Sequence, residues 1–192
     1  MERWIGKTAV VTGASAGIGA AICVRLANEG MRVVGLARRA ELVLKLKAEV
    51  SGTGEIHALS CDVGKPAQIA AAFDRVEREF GGTDLLVNNA GLLPQGQITE
   101  TSQNPLSDEV IEQMIEVNIT GLILCSRRAV ASMKKRDVEG HIININSVVG
   151  HYIPSLPVVN VYPATKHAVT AFTTLLTDEL AHAQARIKTT VS

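Results

Sequence analysis

Tyr162 and Lys166 stand four residues apart at the start of a helical pattern, so their side chains share one face and can meet the same ligand. A phenol beside an ammonium group can move a proton. The free hydroxyl, with a pKa of about 10, is a poor base near neutrality, and lowering it by two units takes roughly 2.7 kcal/mol of differential stabilisation, which nearby positive charge supplies. Ser147 offers a second hydroxyl just past a β-branched run, and Asn118 breaks an otherwise apolar helical face. Far upstream, Thr12-Gly-Ala-Ser-Ala-Gly-Ile-Gly19 sets Gly13, Gly17 and Gly19 around Ser15, Ala16 and Ile18, between a strand and a helix. A loop without Cβ atoms turns tightly and lays its amides against a pyrophosphate, while the helix offers the same anion its unpaired N–H groups. About 20 residues further on, a site for an unphosphorylated ribose carries a carboxylate; this chain has Ala37, Arg38 and Arg39 there. Two guanidinium groups suit a 2′-phosphate, so the expected cofactor is NADP(H) rather than NAD(H). Plainer readings exist for both features: a ligand-free tight turn, and a solvated arginine pair at a helix start.

The elements that must position these groups alternate along the whole chain. Short β-branched runs at residues 8–12, 32–36, 55–60, 84–88, 141–146 and 186–192 read as strands. Between them lie helical patterns. The first carries Ile18, Ile22 and Leu26 and stops at Gly30; the second carries Leu42, Val43, Leu46 and Val50; the third opens on Pro66, carries Ile69, Phe73, Val76 and Phe80, and ends at Gly81 and Gly82. A polar loop at 93–104 precedes a long helix over 108–133, with Ile111, Ile115, Ile119 and Leu122 on one side, and a last helix spans 162–182. Nearly continuous apolar strands joined by crossover helices imply a parallel sheet covered on both faces. The fold class is therefore α/β, a Rossmann-like doubly wound sheet in a single domain over 1–192.

Composition narrows the function. The chain has 192 residues, 46% apolar and 20% charged, and its 19 basic and 19 acidic side chains cancel. No basic face is left to neutralise phosphates, and 3% aromatics offer little base stacking, so no nucleic-acid partner is expected. Cys23, Cys61 and Cys125 match neither a zinc site nor a redox pair and read as reduced, buried thiols of a cytoplasmic protein; no metal is expected. The two uncharged stretches, 8–24 and 142–165, are too rich in glycine, proline and asparagine for a membrane span, and no signal-cleavage pattern opens the chain. His151 reads as a solvated loop histidine, and His167 points about 100° away from Lys166 on its helix.

Taken in order, the glycine turn, Cys61-Asp-Val63, Asn88-Asn-Ala-Gly91, Asn118, Ser147 and Tyr162-Pro-Ala-Thr-Lys166 resemble the short-chain dehydrogenase/reductase family along essentially the whole chain. Met1-Glu-Arg-Trp4, His141-Ile-Ile-Asn-Ile-Asn-Ser147 and Gly150-His151 resemble its subgroup of insect NADP-dependent farnesol dehydrogenases and vertebrate dehydrogenase/reductase member eleven. The resemblance implies that Tyr162 is the general acid/base, Lys166 its electrostatic partner and ribose anchor, Ser147 the group orienting the substrate oxygen, and Asn118 the holder of a relay water. It places Asp62 and Val63 beside adenine, has Asn89, Ala90 and Gly91 line the cofactor, and leaves Asn88 to brace the sheet. The substrate it implies is an alcohol or carbonyl compound, such as farnesol or another isoprenoid alcohol, or a steroid. It also implies a homodimer or homotetramer, for which the long helix and the last one, with Val169, Phe172, Leu176 and Leu180, carry surplus apolar surface. Two departures stand out: Pro163 follows the tyrosine where the family has a small polar residue, and the chain ends at Ser192, where the family continues with a proline–glycine turn, a substrate-covering loop and another strand. The chain is thus expected to be C-terminally incomplete, and a noncatalytic NADP(H)-binding or oligomerisation module is the rival reading.

Overall fold

The computed structural model describes residues 2–156 and 158–192. Met1, which opens the Met1–Trp4 motif, and Pro157, one of the prolines of the loop before the last helix, lie outside the described residues.

Six strands form one parallel sheet: β1 (Thr8–Thr12), β2 (Arg32–Ala37), β3 (Glu55–Ser60), β4 (Leu85–Asn88), β5 (Gly140–Asn144) and β6 (Ile187–Val191), in the order β3-β2-β1-β4-β5-β6. Crossovers run through α1 (Gly17–Asn28), α2 (Ala40–Lys45), α3 (Pro66–Phe80), α4 (Asp108–Ile115), α5 (Leu122–Lys135) and α6 (Val161–His182). The single α/β domain and Rossmann-like topology expected from the alternation are what the chain adopts.

The period-two alternation of the strands divides the core. Val10, Leu86 and Ile142 face α3, α5 and α6 with Ile69, Phe73, Cys125, Met133, Leu176 and Leu180; Ala9, Val11, Val33 and Val87 face α1 and α2 with Cys23, Ala27 and Val43. Strand order reverses between β1 and β4, and a crevice opens at the C-terminal strand ends there.

Three elements differ from the sequence pattern. The first helix seats on its small residues Gly19, Cys23 and Ala27, which let it approach the sheet closely, and leaves Ile18 64% exposed. The long helix is not continuous: a π-helical turn, Glu116–Gly121, separates α4 from α5. That turn shifts the phase of the buried face, so Met114, Val117, Asn118, Gly121 and Cys125 point inward and Ile115 is 41% exposed. Finally, Val169, Leu176 and Leu180 are not surplus surface. They are buried, and Leu175 is the large apolar side chain that α6 exposes.

Candidate functional site

The turn after β1 is built from glycines with separate tasks. Gly13 has φ +65°, and a Cβ there would press on Ala90 Cα at 2.8 Å. At Gly19 a Cβ would lie 2.5 Å from Asn89 Nδ2, so this glycine lets α1 close on the neighbouring turn. Gly17, at φ +56°, faces open space, with nothing within 4 Å of where a Cβ would stand. Ala16 precedes α1 and has no side-chain group with which to cap its first N–H groups. The residues present therefore fit a dinucleotide: an open, uncapped helix start over a loop that a Cβ would obstruct.

Thr12 fixes this turn against the next one. Its Oγ1 accepts from the N–H groups of Asn89 and Ala90, both at 3.0 Å, while Asn89 Nδ2 donates to Thr12 O at 3.0 Å and Gly13 O at 3.2 Å. Sequence reasoning missed Thr12 as a site residue, although its place at the strand end inside the glycine motif was the available signal.

A cleft of about 310 Å³ runs along this edge, and Gly13, Ser15, Ala16, Arg38, Arg39, Asp62, Val63, Asn89, Ala90 and Gly91 all line it, joined by Leu36, Ala37, Cys61, Leu92 and Val117. Gly17, Ile18 and Gly19 form the first turn of α1 immediately after it. Both arginine side chains are exposed and make no hydrogen bond or ion pair with another described residue. The carboxylate of Asp62 is turned to its own loop, accepting from Gly64 N at 2.9 Å. Burial pushes the Cys61 thiol up to about 11.

The second cluster lies where β4, β5 and α6 meet. Asn118 sits inside the π turn, buried, with Oδ1 accepting from Leu92 N at 2.7 Å and Nδ2 donating to Leu92 O at 2.9 Å and Thr165 Oγ1 at 3.1 Å. Lys166 is 6% exposed. Its Nζ donates to Ile145 O at 2.9 Å and stands 5.7 Å from the centroid of the Tyr162 ring, and burial lowers its pKa from the ordinary lysine value. Gly91 faces both groups: a Cβ there would be 3.6 Å from Asn118 Oδ1 and 3.9 Å from Lys166 Nζ. Tyr162 is half-buried, and its hydroxyl bonds no other described residue. Ser147, also half-buried, opens a 3-10 turn, Val148–Gly150, by accepting from Val149 N at 3.4 Å. Pro163 fits within the first helical turn without displacing this arrangement, because the helix already starts at Val161.

Other residues are placed by their contacts. Asn88 braces the sheet, donating to Ser126 Oγ and Asn144 Oδ1, both at 2.9 Å. His151 is exposed, and His167 Nδ1 pairs with Pro163 O at 2.9 Å, turned back along its own helix. Among the described residues no group of His, Cys, Asp or Glu could hold a metal ion, and no helix is long and apolar enough to cross a membrane. Cys23, Cys61 and Cys125 are unpaired and buried.

Comparison with known proteins agrees with the fold. The short chain dehydrogenase family model matches residues 7–191. Farnesol dehydrogenase of Aedes aegypti is 52% identical over 192 residues, covering 99% of this chain and 77% of that protein. Dehydrogenase/reductase SDR family member 11 of Homo sapiens is 41% identical over 194 residues, covering 99% of this chain and 73% of that protein. Among solved structures, a metagenomic short-chain oxidoreductase in complex with NADP aligns with a TM-score of 0.87 at 33% identity, covering 98% of this chain and 81% of the other. A short chain dehydrogenase/reductase from Burkholderia phymatum in complex with NAD aligns with a TM-score of 0.88 at 30% identity, covering 100% of this chain and 66% of the other. The chain thus belongs to the short-chain dehydrogenase/reductase family of NAD(P)-dependent oxidoreductases.

Proposed function

We propose that the protein is an NADP(H)-dependent oxidoreductase that interconverts an alcohol and its carbonyl compound. The observation that carries this reading is the convergence of Asn118 and Lys166 on Gly91, with the Tyr162 ring beside the lysine, at the end of the glycine-turn cleft. When bound, the dinucleotide accepts or supplies the hydride. Gly13 to Gly19 and the start of α1 hold its pyrophosphate, Asp62 and Val63 flank the adenine, Asn89, Ala90 and Gly91 line its path, and Arg38 and Arg39 take the 2′-phosphate.

Hydride can leave a carbon only as its hydroxyl proton also leaves. Tyr162 takes that proton, Ser147 donates a hydrogen bond to the substrate oxygen, and Lys166 stabilises the phenolate and anchors the ribose. Asn118 holds a relay water. Burial opposes charge on Lys166 when it stands alone, and negative charge developing beside it during proton transfer offsets that effect.

The substrate side is apolar. Gly96 N donates to Val158 O at 2.8 Å, joining the loops that follow β4 and β5, and these loops expose Leu93, Ile98, Tyr152, Ile153 and Leu156. Such a rim suits an isoprenoid alcohol such as farnesol, or a steroid. Exposed Ile115 and Leu175 support assembly into a homodimer or homotetramer through α4, α5 and α6, and the three buried, unpaired thiols suit the cytoplasm.

Titration with NADPH and NADH, followed by turnover of farnesol with NADP+ and with NAD+, tests this reading. One charge-assisted contact to the 2′-phosphate is worth about 1.5–3 kcal/mol, so NADPH should bind at least ~10-fold more tightly, and replacing Arg38 and Arg39 with alanine should abolish the preference. Tyr162→Phe should cut turnover by ~10²-fold or more with NADPH affinity unchanged. Equal affinity for the two cofactors refutes the NADP(H) assignment. Cofactor binding without turnover of any alcohol or carbonyl compound would instead favour a noncatalytic module.

A further inference from the structure

We infer that Thr170, acting with Asn146, is a positioning residue that sets where the Ser147 hydroxyl stands relative to Tyr162 and Lys166. This inference rests on the catalytic assignment proposed above.

The two residues that bracket the serine turn are tied to one hydroxyl. Asn146 Nδ2 donates to Thr170 Oγ1 at 2.8 Å, and Thr170 Oγ1 donates to Gly150 O at 2.9 Å, with Lys166 O a longer acceptor at 3.3 Å. A threonine hydroxyl carries a single proton, so accepting from the amide leaves that proton for a carbonyl, and the chain of bonds runs in one direction. Between the two anchors the turn is closed by Gly150 N donating to Ser147 O at 2.9 Å, so Ser147, Val148 and Val149 move with their ends.

Thr170 lies one helical turn beyond Lys166 and two beyond Tyr162, on the same side of α6. The hydroxyl therefore links the serine turn to the helix that carries the other two groups. There is no slack at the contact: a Cβ on Gly150 would lie 2.6 Å and 2.7 Å from the two polar atoms of the Asn146 amide and 2.8 Å from Lys166 O. Asn146 is 9% exposed, so an amide that loses Thr170 finds little water in compensation. The Lys166 Nζ bond to Ile145 O fixes the strand side of the same junction. Without the Thr170 hydroxyl, the turn keeps its strand attachment and loses its hold on α6.

The test compares Thr170→Val, which keeps the shape without the hydroxyl, with Thr170→Ser, which keeps the hydroxyl. Each is made alone and in a Ser147→Ala background. Farnesol turnover with NADP+, NADPH affinity and hydrogen exchange across residues 146–151 are measured on all of them. A misplaced hydrogen-bond donor costs much of what its removal costs, so Thr170→Val should lower kcat about tenfold with NADPH affinity within about twofold, and Thr170→Ser should stay near the parent. In the Ser147→Ala background Thr170→Val should lower kcat no further. A purely structural role would instead cost the same factor in both backgrounds, and that result overturns the inference. Faster exchange over residues 147–150 in Thr170→Val but not in Thr170→Ser upholds it, and unchanged exchange overturns it. A parent protein that turns over nothing sinks the proposed activity, and exchange alone then decides whether Thr170 holds the turn.

Discussion

Alanine at Gly19 and at Gly17 should damage the protein in different ways, although both residues belong to one motif. At Gly19 the new methyl would sit 2.5 Å from Asn89 Nδ2 and nearer still to Gly13 O, and real Cβ contacts do not go below about 3.0 Å. Relief requires moving Asn89, whose Nδ2 holds Thr12 O and Gly13 O, or moving the turn itself. Two hydrogen bonds at about 1 kcal/mol each, plus overpacking of about 1 kcal/mol, give a loss of roughly 3 kcal/mol. Alanine's helix propensity returns about 1 kcal/mol, leaving a net loss of about 2 kcal/mol. For a chain of this size that corresponds to a fall of roughly 4–8 °C in Tm. At Gly17 nothing is struck, and the cost is the left-handed backbone at φ +56°, about 1–2 kcal/mol. There the methyl enters the space proposed for the pyrophosphate, so NADPH affinity should fall by ~10-fold or more. Thermal unfolding and NADPH fluorescence titration of both variants check the pair. A Gly19→Ala protein that melts with the parent refutes the steric argument, and a Gly17→Ala protein with parental affinity removes the pyrophosphate from this turn.

Three further outcomes follow from buried groups. Burial holds the Cys23 thiol up at about 12 and Cys61 at about 11, and raises Cys125 as well, so iodoacetamide at pH 8 should leave the native protein unmodified and label all three after unfolding; native labelling contradicts this. His141 is kept below the usual 6.5 by burial first and then by Lys188 and Arg3, so the unfolded chain takes up its proton at a pH where the folded chain does not. Stability should therefore fall as pH drops below about 6.5 and level off once the folded histidine titrates; a His141→Gln variant should flatten that slope in urea melts, and an unchanged slope rules the residue out. Asp84, 5% exposed, accepts from Thr8 N at 2.8 Å and pairs with Arg136 at 2.8 Å, so Asp84→Ala should cost about 3 kcal/mol by stranding both partners, and a loss below about 1 kcal/mol would contradict their coupling.

What the sequence makes legible is whatever leaves a local mark. Gly81, with φ +76°, ends α3 where the pattern stops, and Pro66 opens it, because both residues act through their own backbone. The residues that line the cleft proposed for the dinucleotide carry local marks for the same reason: a glycine turn, a strand end with two arginines and an Asn-Ala-Gly run each lie within a few residues. The π turn left no such mark. One widened turn needs no special residue, so Ile111, Ile115, Ile119 and Leu122 read as a continuous stripe while the helix rotates beneath them. The polar ties below the site were also invisible, since Asn88 and Asn144 lie 56 residues apart and Asn144 and Thr173 lie 29 apart, and single amides and hydroxyls in apolar runs do not announce their partners.

Those ties give the core a purpose beyond cohesion. Lys166, Thr170 and Thr173 follow one another at four- and three-residue spacing along α6, and each bonds the end of β5 or the residues just past it: Lys166 to Ile145 O, Thr170 to Asn146 and Thr173 to Asn144. An apolar interface would allow α6 to slide or turn at small cost, because dispersion contacts are non-directional. A rotation by one residue would swing Tyr162 through about 100°. The same rotation would break all three bonds at once and strand buried amides, each costing about 1–3 kcal/mol. Polar groups in this interface thus sacrifice some of the stability that leucines would give and in return penalise every register except the one that sets Tyr162 beside Lys166. Asn88 extends the restraint to β4 through Asn144, so the strand that leads into Asn89, Ala90 and Gly91 is tied into the same frame as the helix carrying the phenol.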